Sequence, residues 1–171
     1  MTGRVEPWRP IAAPEFDYEL ATGELRSFPP RREALVALLV FYSLPESLPR
    51  LRTLVQERQS RIYGGARIVA LPTRDDASVA DLGLDDLAKS VLGTTAHEVA
   101  GAYALFARTR EDGDPGAPGH FEFLIDRQGY LRARTIGVPD SASAWARGLP
   151  AQIEFLEHEA PHAAPAGGHA H

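Results

Sequence analysis

Apolar and polar positions along the chain fall into blocks whose period changes several times. "FDYELATGELRSF" sets Phe16 and Tyr18 before the turn "ATGE" and Leu25 and Phe28 after it, which predicts a small hairpin. Residues 34–42, "ALVALLVFY", form a continuous apolar run, the pattern of a central strand covered on both faces. Leu48, Leu51, Leu54, Val55 and Ile62 keep helical spacing and predict a helix from about residue 46 to 60, ended ahead of Gly64 and Gly65. "ARIVALP" predicts a second buried strand, stopped by Pro72.

"TRDDASVADLGLDDLAKSV" reads as a polar loop with a short helix near 84–90. A helix is expected over Ala96 to Ala100, then a strand over "AYALFAR" and a flexible loop, "TREDGDPGAPG". In "HFEFLIDRQGYLRARTI" strict alternation puts Phe121, Phe123 and Ile125 on one face of a strand and His120, Glu122, Leu124 and Asp126 on the other, with "DRQG" as the turn. "SASAWARGLPAQIEFLEHE" predicts a closing helix, firm from about Pro150 and stopped by Pro161. The proline-bearing opening reads as an extended lead-in over 1–13, the domain as 14–159, and "APHAAPAGGHAH" as a disordered tail over 160–171. Hairpin, strand, helix, strand, helix, strand, hairpin and helix in that order fit an α/β sandwich around a mixed sheet.

Composition narrows the chemistry. A chain of 171 residues with 44% hydrophobic content suits one domain with a real core. Its net charge of −5, spread along the chain, leaves no electrostatic footprint for nucleic acid. Cysteine is absent, which excludes disulfides, thiolate nucleophiles, iron–sulfur clusters and cysteine zinc sites; Met1 is the only methionine, so histidines, carboxylates and backbone are the available metal ligands. No apolar stretch is long enough to span a bilayer and "MTGRVEPWRP" lacks a secretory apolar core. Direct membrane insertion is therefore not expected, and the chain is either cytoplasmic as it stands or a piece of a longer exported protein.

With its buried strand running into the proline-rich turn "LPESLP" and its late "FLIDRQG" hairpin, the sequence resembles the thioredoxin-like fold over roughly residues 8–160. The resemblance is to Sco-type copper chaperones and to the redoxin-like C-terminal domain of bacterial copper resistance protein D homologues. In the Sco family the first strand leads into a turn with two cysteines, each followed by proline, and both thiols take part in copper binding. Leu44 and Leu48 stand in those places here, with Pro45 and Pro49 retained around Glu46 and Ser47. The resemblance implies a thioredoxin-like sandwich, a central mixed sheet flanked by helices with an N-terminal hairpin extension, whose active-site turn has lost its chemistry. The family's ligand histidine lies further ahead of the aspartate of "LID" than His120 does.

Among candidate residues, Ser43, Glu46 and Ser47 are read as helix-capping groups, and His97, in the first turn of a helix capped by Thr95, as structural. His120 and Glu122 emerge on one strand face and could offer a nitrogen and an oxygen to Cu(II), Zn or Ni; the competing reading is a surface histidine beside a glutamate paired with Arg132 or Arg134. His158, His162, His169 and His171 are four of the six histidines and fall in the last 14 residues, a flexible group suited to weak metal capture. The expected function is a non-enzymatic domain of bacterial copper homeostasis that needs no cofactor, binds copper weakly or docks to a membrane copper-handling protein or cytochrome, and sits in the periplasm, the location resting on the resemblance. The alternative is a structural or protein-interaction domain using the leucine-filled turn as an apolar patch.

Overall fold

The computed structural model describes residues 11–20, 22–74, 87, 90–107 and 119–161. Their elements are β1 (Phe16–Glu19), β2 (Leu25–Phe28), β3 (Ala37–Tyr42), α1 (Leu48–Gln59), β4 (Arg67–Pro72), β5 (Ser90–Leu92), α2 (Ala96–Ala107), β6 (Phe121–Ile125), β7 (Leu131–Ile136) and α3 (Ala144–His158). A four-stranded sheet runs in the order β4-β3-β6-β7, with β3 and β4 parallel across α1 and β6 antiparallel to both β3 and β7. A smaller sheet, β2-β1-β5, is antiparallel throughout.

β3 explains its unbroken apolar run by serving two cores. Ala37, Leu39 and Phe41 face Val99, Tyr103 and Ala104 of α2 and Phe16, Tyr18 and Phe28 of the small sheet, with Phe41 stacked on Phe121 at 4.5 Å. Leu38, Val40 and Tyr42 face Leu51 and Leu54 of α1 and Leu149, Ile153 and Leu156 of α3. The result is a layered α/β sandwich with the hairpin β1–β2 appended at the start, the thioredoxin-like architecture. Lead-in residues also join it: Ala13 donates to Gly129 O and Leu131 donates to Ile11 O, extending the sheet beside β7. Among the described residues no helix is long and apolar enough to cross a membrane.

Three expected elements differ. "AYALFAR" is not a strand, because α2 continues from Ala96 to Ala107; Val99, Ala100, Tyr103, Ala104 and Ala107 are its buried positions, a three-and-four spacing. α3 starts at Ala144 rather than near Pro150: Ser143 caps it by accepting Ala146 N–H at 3.1 Å, and Pro150 sits inside the helix. The short helix expected near 84–90 lies outside the described residues apart from Leu87 and Ser90, and Ser90 opens strand β5, Ser90–Leu92, paired with β1. The loop "TREDGDPGAPG" apart from Gly119, and the tail from His162 onward, also lie outside them.

The "DRQG" turn forms as its residues dictate. Asp126 Oδ1 accepts the N–H groups of Gln128 and Tyr130, both at 3.0 Å, and Gly129 takes a φ of +88°, a conformation that side-chain-bearing residues resist.

Candidate functional site

The turn from Ser43 to Leu48 leaves the C-terminal end of β3 and opens α1, the part of an open α/β sheet where ligands ordinarily bind. Leu44 and Leu48 are half-buried and pack against the core beneath α1, whereas Pro45, Glu46 and Pro49 are exposed. Glu46 accepts from Ser43 Oγ at 3.2 Å, and no acidic side chain serves the first turn of α1.

Under this turn lies a chain of buried polar groups. Ser43 N–H donates to Ser47 Oγ at 3.0 Å, and Ser47 Oγ lies 2.7 Å from His120 Nδ1. His120 Nε2 lies 2.7 Å from Glu122 Oε2. Arg50 grips the same carboxylate in a fork, Nε to Oε2 at 2.9 Å and Nη2 to Oε1 at 2.8 Å, and Trp145 Nε1 donates to Oε1 at 2.9 Å. Ser47, Arg50, His120 and Glu122 are each at most 3% exposed. The ladder thus joins the turn, α1, β6 and α3.

Burial raises the Glu122 carboxyl's pKa, but hydrogen bonds from Arg50 and His120, with their charges, outweigh it and hold the value at about 2. Burial works against the Arg50 cation too, and Glu122 more than offsets it, so the guanidinium titrates above its ordinary range. Both partners remain ionised. The His120 tautomer that donates Nε2–H to Glu122 accepts the Ser47 hydroxyl proton at Nδ1, and the ladder is continuous from the turn to the carboxylate.

A serine, a histidine and a carboxylate in series have the connectivity of a nucleophilic triad. The surroundings argue for a structural part instead: Ser47 is 0% exposed, its oxygen already accepts from Ser43, and the basicity of Glu122 is spent on Arg50. What the arrangement does is hold the turn in one geometry.

Several expectations change here. The Ser47 side chain, at the N-cap position, makes no cap hydrogen bond to α1 and turns inward to His120. Nor are His120 and Glu122 a surface pair answered from β7; Arg50 supplies the counter-charge, while Arg132 serves Asp126 and Glu159. Both His120 nitrogens and both Glu122 oxygens have partners within the fold. Arg50 and Trp145 went unnoticed in the sequence, although a glutamate inside "FEFLI" signals that a buried cation must answer it. Thr95 caps α2 through Glu98 N–H at 3.1 Å, and His97 Nδ1 lies 3.2 Å from Thr73 O.

Of the four late histidines, His158 is described: it is exposed at the end of α3, its Nδ1 donating to Glu154 O at 2.9 Å. His162, His169 and His171 lie outside the described residues. Among the described residues no three His, Asp or Glu side chains are grouped to hold a metal ion.

The geometry has solved counterparts. A thiol:disulfide interchange protein of the thioredoxin family from Chlorobium tepidum superposes with a TM-score of 0.62 at 17% identity, covering 86% of this chain and 99% of the other. BsSco, a member of the Sco family of cytochrome c oxidase assembly proteins, gives 0.59 at 14% identity over 86% and 94%. A thio-disulfide isomerase from Thermus thermophilus gives 0.57 at 16% identity over 92% and 100%. The chain thus has a thioredoxin-like fold and not a single cysteine. No protein-family model matches the sequence, and no curated protein is detectably similar to it.

Proposed function

We propose that this thioredoxin-like chain is a non-catalytic domain of bacterial copper handling, acting by docking rather than by thiol chemistry. The observation that carries the reading is the sealed turn: Leu44 and Leu48 occupy it, and the ladder beneath leaves no donor atom over for substrate or metal. With no cysteine in the chain there is no electron pair to exchange with a disulfide. A rigid turn rimmed by exposed Pro45 and Pro49 suits contact with a preformed partner surface, because little conformational freedom is lost on binding. The partner in this reading is a membrane copper-handling protein or a cytochrome, in the periplasm or another extracytoplasmic space; the likeness to BsSco supports it.

Copper is cargo in this scheme, not a resident cofactor. Imidazole nitrogens suit Cu(II), and equally Zn or Ni, so His158, His162, His169 and His171 form the proposed capture group. His120 and Glu122 are left out of it because their donor atoms are engaged inside the fold.

Calorimetric titration of the whole chain with Cu(II), Ni(II) and Zn(II), beside a variant with His162, His169 and His171 changed to alanine, tests the metal half. Weak uptake lost in the variant supports tail capture. Uptake unchanged in the variant moves the site into the fold, and no uptake by either chain leaves the interaction-domain reading standing alone. Thiol-dependent turnover by the unmodified chain would refute the non-catalytic reading.

A further inference from the structure

The outer face of α3 is uncovered among the described residues. Ala146, Leu149, Ile153 and Leu156 are the helix's buried positions, and opposite them Ala144, Arg147, Ala151, Glu154 and Phe155 are exposed. Phe155 is 63% exposed, far more than an aromatic ring serving only its own fold requires. Beside it a groove of about 320 Å³ runs between α3 and Leu124 and Ala133 of the sheet, which extends the apolar area.

The charges that flank this area have a self-complementary order. Arg147 and Glu154 stand two helical turns apart on one side of Ala151, about 10.5 Å along the axis. Neither side chain has an ionic partner among the described residues. Gly148 and Phe155 repeat the same spacing on the other side of Ala151, a position without a side chain two turns from a large ring. A second α3 laid antiparallel across Ala151 about a two-fold axis therefore sets each Arg147 against the other copy's Glu154, and each Phe155 against the other copy's Gly148. Laid parallel, it would set like charges together.

We infer that the outer face of α3 is a docking surface for a second copy of this chain, packed antiparallel about Ala151, with two reciprocal Arg147–Glu154 pairs fixing the register and Phe155 as the apolar anchor. One helix against one helix is a small contact, so the dimer is transient and fills only at high concentration. The inference does not rest on the copper reading.

The test is sedimentation velocity of the whole chain from roughly micromolar to near-millimolar concentration. A reversible monomer–dimer equilibrium is expected. Arg147→Glu and Glu154→Arg, each alone, set like charges together and should weaken dimerisation by about tenfold or more in Kd. Combined, they restore opposite charges and should bring Kd back towards that of the parent. Phe155→Ser should weaken the dimer without any change of charge. All three positions are exposed, so each variant should keep the parent's Tm when dilute, which separates a lost contact from a lost fold. A chain that stays monomeric throughout, a dimer indifferent to the single changes, or one that the double change fails to restore overturns the surface.

Discussion

The two faces of β6 are built on opposite rules. Phe121, Phe123 and Ile125 enter an aromatic and aliphatic core against α2, where Phe123 lies 5.3 Å from Tyr103. On the other face His120 and Glu122 enter the polar ladder beneath the turn. Both faces are almost dry, so the difference is in what burial demands. Apolar contacts tolerate many neighbours of about the right shape, whereas a buried carboxylate demands a cation and donors in fixed positions. The first face supplies cohesion. The second supplies geometry, and it lies where the turn needs geometry.

Arg50→Met should separate the two faces most sharply. It strands the Glu122 charge in the core and is expected to cost about 3–5 kcal/mol in urea unfolding, while Arg50→Met with Glu122→Leu recovers much of the loss. A single variant as stable as the parent would show that the ladder does not hold the turn.

Acid should act on one face only. The Glu122 carboxyl has a folded-state value of about 2, below its unfolded value, so its stabilisation is full above the unfolded carboxylate range and is lost as pH falls towards 2. The loss is expected to be roughly 3 kcal/mol, read from urea midpoints across that window. Glu122→Gln should flatten that profile, and Phe123→Leu should leave its shape unchanged.

Trp145→Phe is the mildest break. It removes a single donor to a charged carboxylate already held by Arg50 and should cost about 1.5–3 kcal/mol. A change in amide exchange at residues 43–48 would show that α3 reaches the turn through this bond, and exchange unaltered there would confine Trp145 to local packing.

Legibility in the sequence followed the same divide. Alternation assigned each β6 side chain to its face, and the frame Leu44-Pro45-Glu46-Ser47-Leu48-Pro49 marked the turn, because period and punctuation are local properties. α2 departs from the expectation past Ala100, since the short apolar run in "AYALFAR" fits a buried strand as well as a helix and only Val99, Tyr103 and Ala107 packing on one side reveal the helical period. The ladder was half visible. His120 and Glu122 drew notice as a pair, but Arg50 and Ser47 lie 72 and 73 residues away in the chain, and no spacing rule connects them.

By itself the sequence determined the absence of thiol chemistry, the opening hairpin–strand–helix–strand and the closing hairpin–helix, and the two apolar faces that β3 must serve, since each follows from residue type and local period. Only the tertiary structure decided which cation answers Glu122 and that Ser47 turns inward instead of capping α1. Those outcomes depend on how distant segments meet, and burial enforces them because a charge withdrawn from water must find its partner wherever the fold brings one.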